Sequence, residues 1–179
     1  MKSLVFVLVA VFFCFAATSF AQVSVPVTTT IGIGGGLTSP SGDYSTFANT
    51  GYHGAAKVRF GAVLPVDITG AVSYHHNGMP APADAYAFSL IQVAAGVEYP
   101  FPSPEVKPYV AAEVAFNSLS NNAPNSKSSS REGLNLGAGV QFMSFDGEVK
   151  YQMINMMGKD TGEGTFNQIT VTVMYTFGL

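Results

Sequence analysis

From Gln22 onward the chain repeats one habit, and that habit leaves few folds open. Apolar and polar residues alternate in segments of about ten, and alternate residues of an extended chain point to opposite faces of a sheet. The last segment is the clearest. Ile169, Val171, Val173, Tyr175 and Phe177 fall on one face, and Gln168, Thr170, Thr172, Met174 and Thr176 fall on the other. Thr and Val are β-branched, so local propensity agrees with the pattern. The same alternation predicts seven earlier strands, near 28–37, 52–64, 66–75, 88–99, 106–117, 134–142 and 148–156. No stretch carries a helical period.

The connections alternate in length. Leu64–Pro65–Val66, Pro100 to Glu105 and Met143 to Gly147 are short, whereas Thr38 to Gly51, His76 to Ala87, Ser118 to Gly133 and Met157 to Phe166 are long and polar. The segment SLSNNAPNSKSSSRE, which composition alone would make a disordered linker, therefore reads as a loop between two strands. Tilted strands of about ten residues, short turns at one end and long loops at the other describe an eight-stranded antiparallel up-and-down barrel that crosses a membrane. The long loops then face outward from the cell, and both termini lie on the periplasmic side.

Residues 1–21 read as an export signal. Lys2 supplies the positive start, Leu4 to Ala17 is almost continuously apolar, and Ser19, Phe20 and Ala21 form the small-x-small pattern that precedes cleavage. The run is too short for a spanning helix, which needs roughly 20 residues. Cys14, the only cysteine, leaves with this signal, so the remaining chain carries no disulfide, thiol nucleophile or cysteine metal site. Residues 22–179 make a single barrel domain. Charged residues are only 11% of the chain, acidic ones outnumber basic ones, and no basic patch suggests a nucleic-acid partner.

The two faces differ in chemistry. One carries Ile31, Ile33, Leu37, Val58, Ile68, Val72, Ile91, Val97, Val114, Val140 and Val149, and no charge. Its aromatics gather towards the strand ends, with Phe60, Tyr99, Phe142, Tyr175 and Phe177 on the turn side and Tyr52, Tyr74, Phe88 and Phe116 on the loop side. Such girdles suit the two headgroup regions of a bilayer. The opposite face carries Lys57, Arg59, Asp67, Glu98, Lys107, Glu113, Glu148 and Lys150. A lone buried charge is costly, so this balanced set predicts a paired ion network in the lumen. Eight strands enclose an interior that side chains fill, which predicts a plug and no open pore.

Other motifs point to no chemistry. The glycines at 32, 34, 35 and 36 lack the Lys-Ser/Thr ending and following helix of a phosphate loop, and read as room for long lumenal side chains. His53, His75 and His76 lack ligand spacing, and His75 and His76 are read as the wet end of a strand. Lys159, Asp160 and Glu163 lack the calcium-loop pattern and read as a solvated turn. No cofactor or metal is expected.

The whole chain after residue 21 resembles the small bacterial outer-membrane β-barrel families, of the type of OmpX and the membrane domain of OmpA. The resemblance rests on the strand count, on LTSPSGDYSTFANTGYHG, and on the ending ITVTVMYTFGL. Pro40, Gly42, Asp43, Phe47 and Gly51 look like the Pro-x-Gly-Asp-aromatic passage of that barrel, and Tyr175 and Phe177 look like the signal that the barrel-assembly machinery reads. These proteins usually end on an aromatic residue, whereas Gly178 and Leu179 follow here. The resemblance implies outer-membrane lipid and the assembly machinery as partners, but leaves the partner of the loops unnamed, because one barrel hosts many functions.

The reading that follows is a non-enzymatic outer-membrane protein whose polar loops serve surface interaction, adhesion or envelope integrity. A lipid-modifying enzyme is the alternative, because SYHHNG at Ser73 to Gly78 is similar to the His-x-Ser passage of lipid A deacylases. Asn77 and Gly78 stand where the attacking serine should follow a histidine. A small porin is opposed by the strand number, and a soluble lipocalin-like barrel by the sparsely charged outer face.

Overall fold

Alternating, β-rich segments joined by tight turns close here into one sheet. The computed structural model describes residues 28–61, 65–103, 105–124, 126, 128–157 and 164–178. The expected signal segment with Cys14, as well as Leu64, Lys159, Asp160 and Glu163, lies outside them. Eight strands run in chain order: β1 Thr28–Gly42, β2 Gly51–Gly61, β3 Asp67–Gly78, β4 Ala87–Pro100, β5 Val106–Asn121, β6 Ser129–Phe142, β7 Phe145–Met157 and β8 Phe166–Gly178. Each pairs antiparallel with its neighbours, and β1 pairs with β8 from Thr30↔Gly178 to Gly42↔Phe166, so the barrel is closed. A single helical turn, α1 at Tyr44–Phe47, lies in the β1–β2 connection. Among the described residues no helix is long and apolar enough to span a bilayer.

The strands outrun the alternation chiefly on the loop side. β1 continues to Gly42, β3 to Gly78 and β5 to Asn121, while β6 begins at Ser129. There the outward residues are polar, among them Ser39, Ser118, Ser120 and Ser130, so backbone pairing continues where the apolar half of the pattern has stopped. On the turn side β7 begins at Phe145, and Phe142 pairs with Phe145 across a two-residue turn. The five-residue connection expected there is therefore shorter, because Asp146 and Gly147 are strand residues.

The face expected to meet lipid points outward. Ile33, Leu37, Val72, Ile91, Val114, Val140, Val171 and Val173 are all exposed. Phe88 departs from it: its ring turns inward and packs against Tyr44. It shares the parity of Leu90 and Gln92, which are buried, and so belongs to the interior face.

The glycines of β1 serve strand closure. A Cβ on Gly34 would collide with the Val173 carbonyl oxygen, and one on Gly36 with that of Val171. Glycine at these two positions lets the first and last strands approach, which corrects the expectation that they mainly make lumenal space. Gly42 has φ +63°, the left-handed conformation that turns the chain from β1 into α1.

Candidate functional site

The barrel interior concentrates most of the buried polar chemistry, and it is layered. Near the turn end, Lys57, Arg59, Glu98, Glu113, Glu148 and Lys150 are all buried and project from β2, β4, β5 and β7. Arg59 donates to Glu98 at 2.6 Å and to Asp146 at 2.8 Å. Lys57 pairs with Glu98 and, at 3.2 Å, with Glu148. Lys150 donates to Glu113 at 3.0 Å and reaches Glu148 at 3.3 Å. The Tyr109 ring lies near both Lys57 and Arg59, 5.1 Å and 5.5 Å from its centroid, and its hydroxyl donates to Asp146 at 2.8 Å.

Two of the sequence-predicted charges stand apart from this cluster. Lys107 is exposed and Asp67 is half-buried, and both line the turn-side mouth, an open cavity of about 620 Å³ that also touches Arg59 and Gln141. They are inward by parity but too near the strand ends to be covered. In their place Asp146 enters, only 1% exposed. It was read as turn sequence, yet it has the parity of Glu148 and Lys150, and extending the alternation back by one step would have found it. The buried ions are thus three cations and four carboxylates, not a balanced set. Donors from Tyr109 and Asn135 help hold the surplus negative charge, Asn135 reaching Glu113 at 3.0 Å.

Above the ions lies a neutral layer. Asn135 and Gln152 both donate to Gln92 Oε1, Gln168 donates to Gln152 at 2.6 Å, and Thr38 donates to Gln168 at 2.9 Å. Through Glu113 and Lys150 this ladder joins the ion cluster, so polar contacts run unbroken from Thr38 to Tyr109. His53 and His75 stack in this layer with centroids 5.0 Å apart. His75 is 1% exposed, in contrast to the wet strand end expected for it, because β3 continues three residues past it. His76 faces outward and packs beside Tyr52.

Ser73 Oγ lies 2.8 Å from His75 Nε2, a pairing that invites comparison with a nucleophile and its base. The tautomer opposes it. Gln168 Nε2 faces His75 Nδ1 at 3.3 Å, and this amide orientation follows from a one-way chain in which Gln168 donates to Gln152, Gln152 to Gln92, Gln92 to Asn117 and Asn117 to the Ile154 carbonyl. Nδ1 is then the acceptor, so Nε2 carries the proton and donates to the serine. A base must accept there. No group of three or more His, Cys, Asp or Glu suited to a metal occurs among the described residues.

The loop-side mouth is apolar. Tyr44 from α1, Ala48, Leu90, Leu119 and Ile154 form a buried cluster, with Phe88 and Phe166 packed against it. The Tyr44 ring sits 5.6 Å from Phe88 and 5.5 Å from Phe166. Burial pushes its hydroxyl well above the usual tyrosine range. Asp43 fastens the cap, accepting from the Thr165 backbone N–H at 2.7 Å and its hydroxyl at 3.0 Å. Sequence reasoning missed Tyr44 because a single loop residue carries no periodic signal.

Both the closed topology and the outward apolar face match a known family. The profile of the outer membrane protein beta-barrel domain matches residues 7–177. This chain belongs to that family. Solved outer-membrane barrels are among the structures it is similar to. Ail, the attachment invasion locus protein of Yersinia pestis, is 18% identical, with 84% of this chain and 98% of Ail covered at a TM-score of 0.55. Neisserial surface protein A is 18% identical, with 84% and 96% covered at 0.56. OprG from Pseudomonas aeruginosa is 10% identical, with 84% and 95% covered at 0.53. At such identities the likeness establishes the fold. No curated protein sequence matches the chain. As a member of the outer membrane protein beta-barrel family, the protein resides in the bacterial outer membrane.

Proposed function

We propose that this outer-membrane barrel is a closed, non-enzymatic scaffold that holds polar loops at the cell surface for surface interaction, adhesion or envelope integrity. The unbroken chain of side-chain contacts from Thr38 to Tyr109 carries the reading, since a lumen crossed by polar groups bonded to one another favours a plug over a pore. The apolar cap under α1 supports closure from the loop side. Names such as attachment invasion locus protein and surface protein, borne by structural relatives, agree with a role at the surface.

The purified protein in planar bilayers should show no sustained conductance, whereas a long-lived open channel would contradict the plug. Loop substitutions that leave folding intact should alter attachment of expressing cells to a surface while leaving their lipid A mass spectrum unchanged. An altered lipid A would favour the enzyme. Tyr175 and Phe177, both outward on β8, are assigned to recognition by the barrel-assembly machinery. Replacing both by Ala should lower the amount of folded protein in the outer membrane, and an unchanged amount removes that role.

A further inference from the structure

We propose that the β6–β7 turn is a lipid anchor, with Met143 and its flanking Phe142 and Phe145 inserted at the headgroup–acyl boundary of the phospholipid leaflet on the barrel's turn side. The inference uses the membrane location and not the closed lumen, so it goes beyond the scaffold reading.

The side chain at the apex of this turn is unfavourable in water and compatible with lipid, since Met143 is 83% exposed. It has φ +53°, at the first position of a two-residue hairpin turn where glycine or asparagine is the usual choice. That strain is the same in any solvent, so a large apolar side chain kept at this apex needs a reason of its own. An apolar surrounding supplies one.

The neighbours extend the same surface. Phe145 meets Tyr175 edge-on at 5.6 Å, and Tyr175 meets Phe177 at 4.9 Å, with all three rings about half exposed. This aromatic arc continues directly into the outward belt at Val140, Val149 and Val173, which are exposed on the same strands. The only acid near the turn, Asp146, is withdrawn inward onto Arg59 and Tyr109. The β4–β5 turn also bears an exposed aromatic pair, Tyr99 and Phe101, but Glu105 and Lys107 are exposed beside it. The uncharged apex is therefore that of β6–β7, and its immersion sets the depth of the barrel over β6 to β8. Aromatic and amphipathic side chains favour this boundary in general, and continuity with the belt names phospholipid as the occupant.

The chain has no tryptophan, so single-tryptophan variants report without background. Met143→Trp, Val171→Trp in the mid-belt and Phe47→Trp on α1 would each be checked for the gel-mobility shift on heating. They would then be reconstituted into phosphatidylcholine–phosphatidylglycerol vesicles with bromine at shallow or deep acyl positions. The expected result is that position 143 emits blue of position 47, resists aqueous acrylamide, and is quenched more by shallow than by deep bromine. Position 171 should show the reverse depth preference. Emission and acrylamide quenching at 143 equal to those at 47 would overturn the anchor. Shielding from both acrylamide and bromine would also overturn it, because a second copy or another protein then covers the turn. Loss of lipid quenching at 171 as well would indict the membrane placement itself. If Met143→Trp fails the heating test, Phe145→Trp gives the same readout.

Discussion

The two halves of the barrel interior are built from opposite materials. The turn-side half is ionised, with Lys57, Arg59 and Lys150 locked to Glu98, Glu113, Asp146 and Glu148. The loop-side half is a neutral ladder of Gln92, Gln152, Gln168 and Thr38 beneath an apolar cap. Ion pairs tolerate no loose partner inside a membrane barrel, so the lower half is rigidly specified. The cap is held by van der Waals contact, by the Asp43–Thr165 latch and by backbone bonds from Tyr44 to Thr165 and from Asn49 to Gly78, all outside the strand ladders, so its opening is expected to leave strand pairing intact. One end of the interior is an ion network, and the other, on the proposed reading, is a seal.

Substitutions can break or sharpen that contrast. Arg59→Ala leaves buried Asp146 with the Tyr109 hydroxyl but no cation, and Glu98 with Lys57 alone, and should destabilise the barrel by about 3–5 kcal/mol. Denaturant unfolding in detergent reads this, and a loss below the scatter of surface substitutions would mean that the ions are not structural. Adding Asp146→Ala to Arg59→Ala should cost less than the sum of the two single changes, because the pair is coupled. Gly34→Val sets a side chain against the Val173 carbonyl at the β1–β8 seam and should cost about 1–3 kcal/mol as overpacking. Its signature is a lower midpoint of the gel-mobility transition on heating, and an unshifted midpoint would show that the seam relaxes freely. Tyr44→Ala is expected to change global unfolding by under about 1 kcal/mol, since the cap opens locally. It should instead speed hydrogen exchange and proteolysis of residues 43–50. A global loss as large as that of Arg59→Ala would make the two halves one cooperative unit.

The same contrast separates what the sequence could disclose from what it could not. Inward charges such as Arg59, Glu113 and Lys150 sit at fixed parity in strands whose other face is apolar, so period two exposes them directly. Asp146 was hidden because it stood in Met143 to Gly147, a segment read as a short connection. Phe88 was misplaced by its character: an aromatic at a strand end fits a girdle, and parity with Leu90 was the better guide. Strand ends on the loop side escaped notice because their outward residues, such as Ser118, Ser120 and Ser130, are polar and the alternation stops there. The cap was illegible because Tyr44 reaches its partners through a loop path, and only the three-dimensional closure of β4, β5, β7 and β8 assembles Leu90, Leu119, Ile154 and Phe166 around it.

Every conclusion about membrane and lumen depends on which side of the wall each residue faces. Val171 and Thr172 are adjacent on β8, one exposed and the other buried, so a nitroxide on a cysteine at each samples the two sides one residue apart. Collision with oxygen dissolved in lipid should dominate at 171, while 172 should be shielded from oxygen and from a water-soluble relaxant alike. Contact with the aqueous relaxant at 171 together with oxygen collision at 172 would reverse the barrel's faces and contradict the account.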